Sequence, residues 1–199
     1  MDDHKTEQLR AIKDAVINLT SSPLYTYRQE QKNLPVIGEG SHDAKIMLIG
    51  EAPGKNEAKT GRPFCGAAGR LLDELLASIN LPREQVYITN IVKDRPPQNR
   101  DPLPEEIAIY GPFLDEQINL IAPAVIVTLG RYAMSYVLNK FNSPDLGTIS
   151  LLHGRVIEAM APYGPIKIVP LYHPAAAIYN QHLKATLLDD IKILKNLWA

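Results

Sequence analysis

IGEAPGKNEAKTGRPFCGAAGRLL, residues 49–72, follows the apolar run Ile46-Met47-Leu48-Ile49 and opens into a glycine-rich turn that contains a lysine. A strand, such a turn and a helix-like stretch make the frame of a phosphate loop, but the spacing argues against one. A Walker loop needs G-x4-G-K followed by Ser or Thr, whose hydroxyl serves Mg2+. Here Gly50 and Gly54 enclose three residues, and Lys55 is followed by Asn56. A dinucleotide loop needs G-x-G-x-x-G directly after the strand, which Gly50-Glu51-Ala52-Pro53-Gly54 does not supply. Pro53 removes a backbone N–H that an anion cradle would use, and Glu51 would repel a phosphate. The turn offers a carboxylate on a stiff frame.

Outward from this turn, short apolar stretches alternate with helical patterns. Leu9, Ile12, Val16 and Leu19 recur at helical spacing over 3–19. Residues 21–45 are turn-rich and read as surface loop. Leu71, Leu72, Leu75, Leu76 and Ile79 give 69–79 a helical face that ends at Leu81-Pro82. A second strand is expected over 86–89, closing on Asn90. The segment 95–104, RPPQNRDPLP, holds four prolines and is neither helix nor central strand. Pro104-Glu105-Glu106 then opens a helix to about 121, with proline in the first turn and acids at the positive end. A strand over 124–129, a helix over 130–138, a weak hairpin signal near 148–160, a strand over 166–171 and a terminal helix over 183–197 complete the chain. This alternation predicts a three-layer α/β/α sandwich on a central four-stranded parallel sheet, in one domain spanning 1–199 with its core at about 36–197.

Length and composition agree with a single globular domain. No apolar run is long enough for a transmembrane helix, and MDDHKTEQLR carries no signal-peptide core. With one cysteine, Cys65, no internal disulfide and no all-cysteine metal site can form within the chain. The expectations are a cytoplasmic protein without membrane association, and a monomer. A net charge of -1 provides no global basic field, although it leaves room for a local basic face.

The unusual polar residues fall at corresponding places. Glu51 follows the first strand, Asn90 the second, Gly130-Arg131 the third and His173 the fourth. Ligands of open α/β sheets bind outside the carboxyl ends of the strands, so these four features converge on one rim. Singly, each has an ordinary reading. A turn Glu is solvated, an Asn after a strand caps the next turn, a His before Pro is structural, and Phe64 is core.

Together with their neighbours they resemble a known family. Gly50-Glu51-Ala52-Pro53-Gly54, Glu57, Gly61-Arg62-Pro63-Phe64 with Gly66 and Gly69, Thr89-Asn90-Ile91-Val92-Lys93, Arg95-Pro96-Pro97 with Asn99-Arg100, Pro104-Glu105-Glu106, Val125 to Arg131 and His173-Pro174-Ala175-Ala176-Ala177 occur in the order seen in family 4 uracil-DNA glycosylases. The resemblance covers roughly residues 20–195. It implies base-excision repair of uracil-containing DNA: a flipped deoxyuridine loses its base by hydrolysis of the N-glycosidic bond, leaving an abasic site.

By the same resemblance, Phe64 stacks on the uracil, and the Asn90 amide reads its edge, donating to O4 and accepting from N3–H. Glu57 sits near C5 and excludes a thymine methyl. His173 donates to O2 and stabilises charge on the departing base. Glu51 positions water or stabilises the cationic sugar, and Ala52 stands where better-known relatives carry an aspartate base. Lys93, Arg95 and Arg100 are candidate phosphate contacts. Arg131 is either another or a helix-terminal charge, and Ile178 or Tyr179 is a candidate wedge in the duplex.

The match fails at one feature. Family members hold a [4Fe–4S] cluster on four cysteines, and the corresponding positions here are Leu19, Ser22, Asp94 and Tyr110. No cofactor is therefore expected. Cys65 matches no ligand position and reads as a small core or pocket-lining residue. His4, His42, His153 and His182 have no ligand spacing, and no metal role is assigned to them. Two alternatives follow from the missing cluster: a DNA- or protein-binding module of weak or no activity on the same fold, and a glycosylase for another deaminated base.

Overall fold

The computed structural model describes residues 3–145 and 147–197. Four strands form the parallel centre: β2 (Ile46–Gly50), β3 (Tyr87–Asn90), β4 (Val125–Leu129) and β6 (Gly164–Leu171). Two antiparallel edge strands extend it to six: β1 (Glu39–Gly40) pairs with β3, and β5 (Ile157–Ala161) with β6, in the order β1-β3-β2-β4-β6-β5. The expected four-stranded core is present, and the edges are an addition to it. A two-residue strand carries no periodicity, so β1 had no signal to read. The expected hairpin near 148–160 lies further along, at β5 and β6, while Ile149–Leu152 is a short helix.

Strands β2 and β4 are buried along their whole length, as parallel strands covered on both faces must be. Alternation then distributes their side chains between two cores. Met47, Ile49, Ile126 and Ile168 face one core, with α1 (Asp3–Ile17) and α5 (Pro104–Ile121) packed over it through Leu9, Ile12, Val16, Leu114 and Ile118. Ile46, Leu48, Ile88, Val127 and Val169 face the other, against Leu72, Leu75 and Leu76 of the helix at Ala67–Ser78. The three layers follow from this division.

The segment 21–45 departs from the expected surface loop. It contains a helix, α2 (Tyr25–Glu30), and buries Ser22, Leu24, Arg28 and Val36. Its polar composition hides a core role because its polar groups are paired inside the protein. The terminal helix starts at Gln181, runs to Asp190 and tightens into a 3-10 turn over Ile191–Asn196.

The chain leaves β2 toward β3 on one side, and β4 lies on the other. This is a topological switch point, where a crevice opens outside the strand ends. Backbone bonds hold the switch rigid: Ile91 N donates to Gly50 O at 3.0 Å, and Val92 N to Glu51 O at 3.0 Å.

Candidate active site

A cavity of about 330 Å3 opens at this switch point, at the small end of ligand pockets. It is lined by Glu51, Ala52, Pro53 and Gly54 from the turn after β2, by Glu57, Phe64 and Ala68, by Asn90, by Pro96, Asn99 and Arg100, and by His173 and Ala175. Every residue expected to bind a base or do chemistry is here: Glu51, Ala52, Glu57, Phe64, Asn90 and His173.

The glycines explain how such different side chains meet. A Cβ on Gly50 would lie 2.3 Å from Asn90 Oδ1 and 2.7 Å from Phe64 Cζ. Only a bare backbone lets the aromatic ring and the amide converge on the end of β2. A Cβ on Gly69 would lie 1.8 Å from the Phe64 carbonyl oxygen, so this glycine lets the start of its helix seat the Phe64 loop. Phe64 itself has a φ of 47, in the left-handed region costly for a bulky residue. The strain is offset by Glu57, whose Oε1 accepts from Cys65 N at 3.0 Å and Gly66 N at 2.9 Å. These amides sit at the start of a helix, where a carboxylate is favoured. Glu57 thus supports the stacking loop as well as lining the cavity. Cys65 does not line it; its thiol lies 3.3 Å from the Thr60 hydroxyl.

Asn90 is 2% exposed, and its Oδ1 has no hydrogen-bond partner. Buried acceptors are nearly always paired, and this one belongs to a residue that lines the cavity. His173 stands opposite, with its ring 5.7 Å from that of Phe64 at a 30° tilt. His173 Nδ1 accepts from Ala175 N at 3.1 Å, which leaves the proton on Nε2 as a donor. Burial pushes its pKa down to about 4 against the opposing charge of Glu57, so the imidazole is neutral at physiological pH.

Glu51 is pushed the other way, up to about 7. Burial is the main cause and the charge of Asp101 the second, with Arg131 opposing both. Asp101 is fixed by Arg131 Nη2 at 2.6 Å and by the Tyr132 hydroxyl at 2.9 Å. Nothing in the sequence marks Asp101, because its partners lie about thirty positions away. Arg131 is 63% exposed at the N-terminal end of α6 (Arg131–Lys140). A cation there opposes the helix dipole, so a helix-terminal charge does not account for it.

The other DNA candidates divide. Lys93 is corrected outright: it is fully buried, and its ammonium donates to Asn90 O at 2.6 Å, Gln117 Oε1 at 2.6 Å and Thr89 Oγ1 at 2.8 Å. It cannot reach a phosphate. Instead it props the backbone beneath the Asn90 amide, and burial drives its pKa well below the lysine range. Arg100 lines the cavity but makes a two-pronged bond to the fully buried Glu106, at 2.6 and 2.8 Å. Arg95 is half-buried, with Nε on Asn99 Oδ1 at 2.6 Å. Ile178 is half-buried, and Tyr179 is 97% exposed beyond the short helix α8 (Pro174–Ala177).

The four positions that the resemblance links to cluster ligands converge, but not as a cluster site. Ser22 Oγ is 2.7 Å from Tyr110 Oη, which donates to Asp94 Oδ2 at 2.5 Å, while Leu19 packs against the neighbouring core. Direct hydrogen bonds span the space, and the donors are hydroxyls, a carboxylate and an alkyl group where such a cluster takes thiolates. These residues do not fit the group.

This is the geometry of a base-binding α/β enzyme, and the family model described as the uracil DNA glycosylase superfamily matches residues 37–195. The type-4 uracil-DNA glycosylase of Sulfurisphaera tokodaii is 43% identical over 192 residues, covering 96% of this chain and 85% of that protein. That of Archaeoglobus fulgidus is 47% identical over 157 residues (79% and 78%), and that of Thermotoga maritima 40% over 194 residues (96% and 95%). The chain belongs to the type-4 uracil-DNA glycosylase family.

Gly50→Ala is expected to push Phe64 and Asn90 apart, lowering single-turnover excision of uracil by roughly 100-fold or more while the protein stays folded by circular dichroism.

Proposed function

We propose that the chain excises uracil from DNA as a single-domain, monomeric glycosylase, with catalytic roles assigned as follows. The observation that carries this reading is Asn90, whose Oδ1 is buried and unpartnered, lining one cavity with Phe64, Glu57 and His173. Uracil N3–H donates to that oxygen, and the Asn90 amide nitrogen donates to uracil O4. Cytosine offers an acceptor at N3 and a donor at C4, leaving both contacts unmade, at a cost of roughly 1–3 kcal/mol for each buried unpaired group. Glu57 lies on the cavity wall where it would oppose the methyl of thymine.

The chemical step separates a base that gains negative charge from a sugar that gains positive charge. His173 Nε2–H donates to uracil O2 as that charge develops. A neutral imidazole suits the task, because it offers one fixed donor without a counter-ion. Glu51 acts as a carboxylate, stabilising the sugar cation and orienting water. Ala52 supplies no base beside it, so leaving-group stabilisation carries most of the acceleration. The chemistry of the donor set at Leu19, Ser22, Asp94 and Tyr110 supports a working enzyme without the iron–sulfur cluster. Arg95 and Arg100, from the segment after β3, and Arg131, from the start of α6, take phosphates. Tyr179, backed by Ile178, fills the gap left by the flipped nucleotide. No described helix is long and apolar enough to cross a membrane, and the cytoplasm is the compartment we assign.

Asn90→Ala is expected to lower single-turnover excision by roughly 100-fold or more and to narrow the preference for uracil over cytosine. Wild-type rates in that variant would remove Asn90 from the pocket.

The Glu51 value sets a pH dependence. Protonated below about 7 and ionised above, Glu51 makes the chemical step rise with pH through that value, and Glu51→Gln flattens the profile. The folded state holds a proton on Glu51 between the ordinary 4.5 and about 7, so this group's contribution to stability falls as pH rises through that window. Glu51→Gln should therefore gain melting temperature over wild type at pH 8 but not at pH 4.

Salt titrations of DNA binding separate the cations. Arg131→Ala is expected to reduce the log–log salt slope by about 1, whereas Lys93→Met, whose wild-type ammonium is internal, leaves the slope unchanged.

A further inference from the structure

The wall of the cavity formed by Pro96, Asn99 and Arg100 contains two consecutive residues in the left-handed region, Gln98 with φ 57 and Asn99 with φ 54. Such a loop keeps its shape only if its ends are held. At its far end, Arg100 grips Glu106 of α5. At its near end stands Asp94, 1% exposed, whose carboxylate accepts from Tyr110 and Arg28. Tyr110 Oη of α5 donates to Asp94 Oδ2 at 2.5 Å and lies 2.7 Å from Ser22 Oγ. Arg28 Nη1 of α2 donates to Asp94 Oδ2 at 3.0 Å and to Val16 O at 3.0 Å, and Arg28 Nη2 to Ile17 O at 2.5 Å.

The network thus ties three stretches far apart in sequence: the end of α1 with 22–28, the root of the loop, and the middle of α5. These are the stretches that carry Ser22, Asp94 and Tyr110, three of the four positions that correspond to cluster ligands. A cluster held by four thiolates would cross-link the same stretches covalently.

We propose that the buried Ser22–Tyr110–Asp94–Arg28 network has replaced the cluster as the cross-link that positions the 94–100 wall of the uracil pocket, making this a type-4 glycosylase whose fold and turnover are independent of iron. The two arginine–carboxylate pairs, Arg28 with Asp94 and Arg100 with Glu106, clamp the wall at its two ends. Tyr110 acts as a positioning residue. Its hydroxyl sits between Ser22 and Asp94 and donates to a carboxylate whose pKa burial raises, with the Tyr110 and Arg28 contacts opposing that shift. The kinetic part of the proposal rests on the glycosylase reading; its iron and stability parts do not.

The test uses the full chain, produced in cells with ample iron and an active iron–sulfur assembly system. Metal analysis is expected to find no stoichiometric iron, and treatment with ferricyanide and a chelator to leave melting temperature and excision rate unchanged. Stoichiometric iron, with activity lost on its removal, would overturn the proposal. Tyr110→Phe keeps the ring and removes only the hydroxyl. It is expected to lower Tm by roughly 5 °C and to raise KM for uracil-containing DNA by roughly 10-fold. Val137→Ala, a core truncation in α6, serves as a control for destabilisation alone and is expected to lower Tm with KM unchanged. Equal KM shifts in both variants, or none in Tyr110→Phe, would reduce the network to ordinary packing and defeat the proposal. If Tyr110→Phe does not fold, Ser22→Ala replaces it, with the same direction expected in both readouts. A wild type that excises nothing sinks the glycosylase reading, while the iron and melting results still decide whether the network stands in for the cluster.

Discussion

The site depends on one steric fact: at the end of β2 there is no side chain. Gly50 leaves the space in which the Phe64 ring and the Asn90 amide approach each other, and every other feature is arranged around that meeting. Gly69 lets the next helix come close enough to seat Phe64, Glu57 ties down the amides after it, and Lys93 fixes the carbonyl of Asn90 from below. A turn that looks like a phosphate cradle is therefore a cleared space for a flat ring. The glycines of phosphate loops let an anion approach the backbone, whereas here they let two parts of the protein approach each other.

Burial then sets the chemistry of the two ionisable groups on the rim. The same loss of water pushes His173 down to about 4 and Glu51 up to about 7. Both are driven toward neutrality: between about 4 and about 7 both are uncharged, and above about 7 a neutral donor shares the site with an anionic carboxylate. Asp101 sharpens the effect on Glu51 without touching the cavity, and Arg131 limits it. The acid–base state of Glu51 is thus coupled to an exposed ion pair beside the cavity.

Much of this was legible in the sequence, for identifiable reasons. The four parallel strands announce themselves as unbroken apolar runs, and the polar residues immediately after them mark the rim because a parallel sheet aligns its strand ends. Glu51, Ala52, Glu57, Phe64, Asn90 and His173 line one cavity, as the motifs suggested, because the segments after β2, β3 and β6 meet there. What stayed hidden depends on pairing across the chain. Lys93 reads as a surface cation until Gln117 and Thr89 are brought to it. The stretch 21–45 reads as a loop because Arg28 and Ser22 look like solvated residues until Asp94 and Tyr110 close on them. β1 is too short to have a pattern, and Asp101 takes its meaning from Arg131, thirty residues on.

His173 caps the start of α8, a single helical turn, and Tyr179 lies two residues past its end, with Ala177 packed in the core between them. So short a segment has no hinge within it. One helical turn thus joins the exposed phenol to the imidazole that accepts from the Ala175 amide. If Tyr179 and His173 take the roles proposed above, contact with a duplex and alignment of the leaving-group donor are coupled through that one turn.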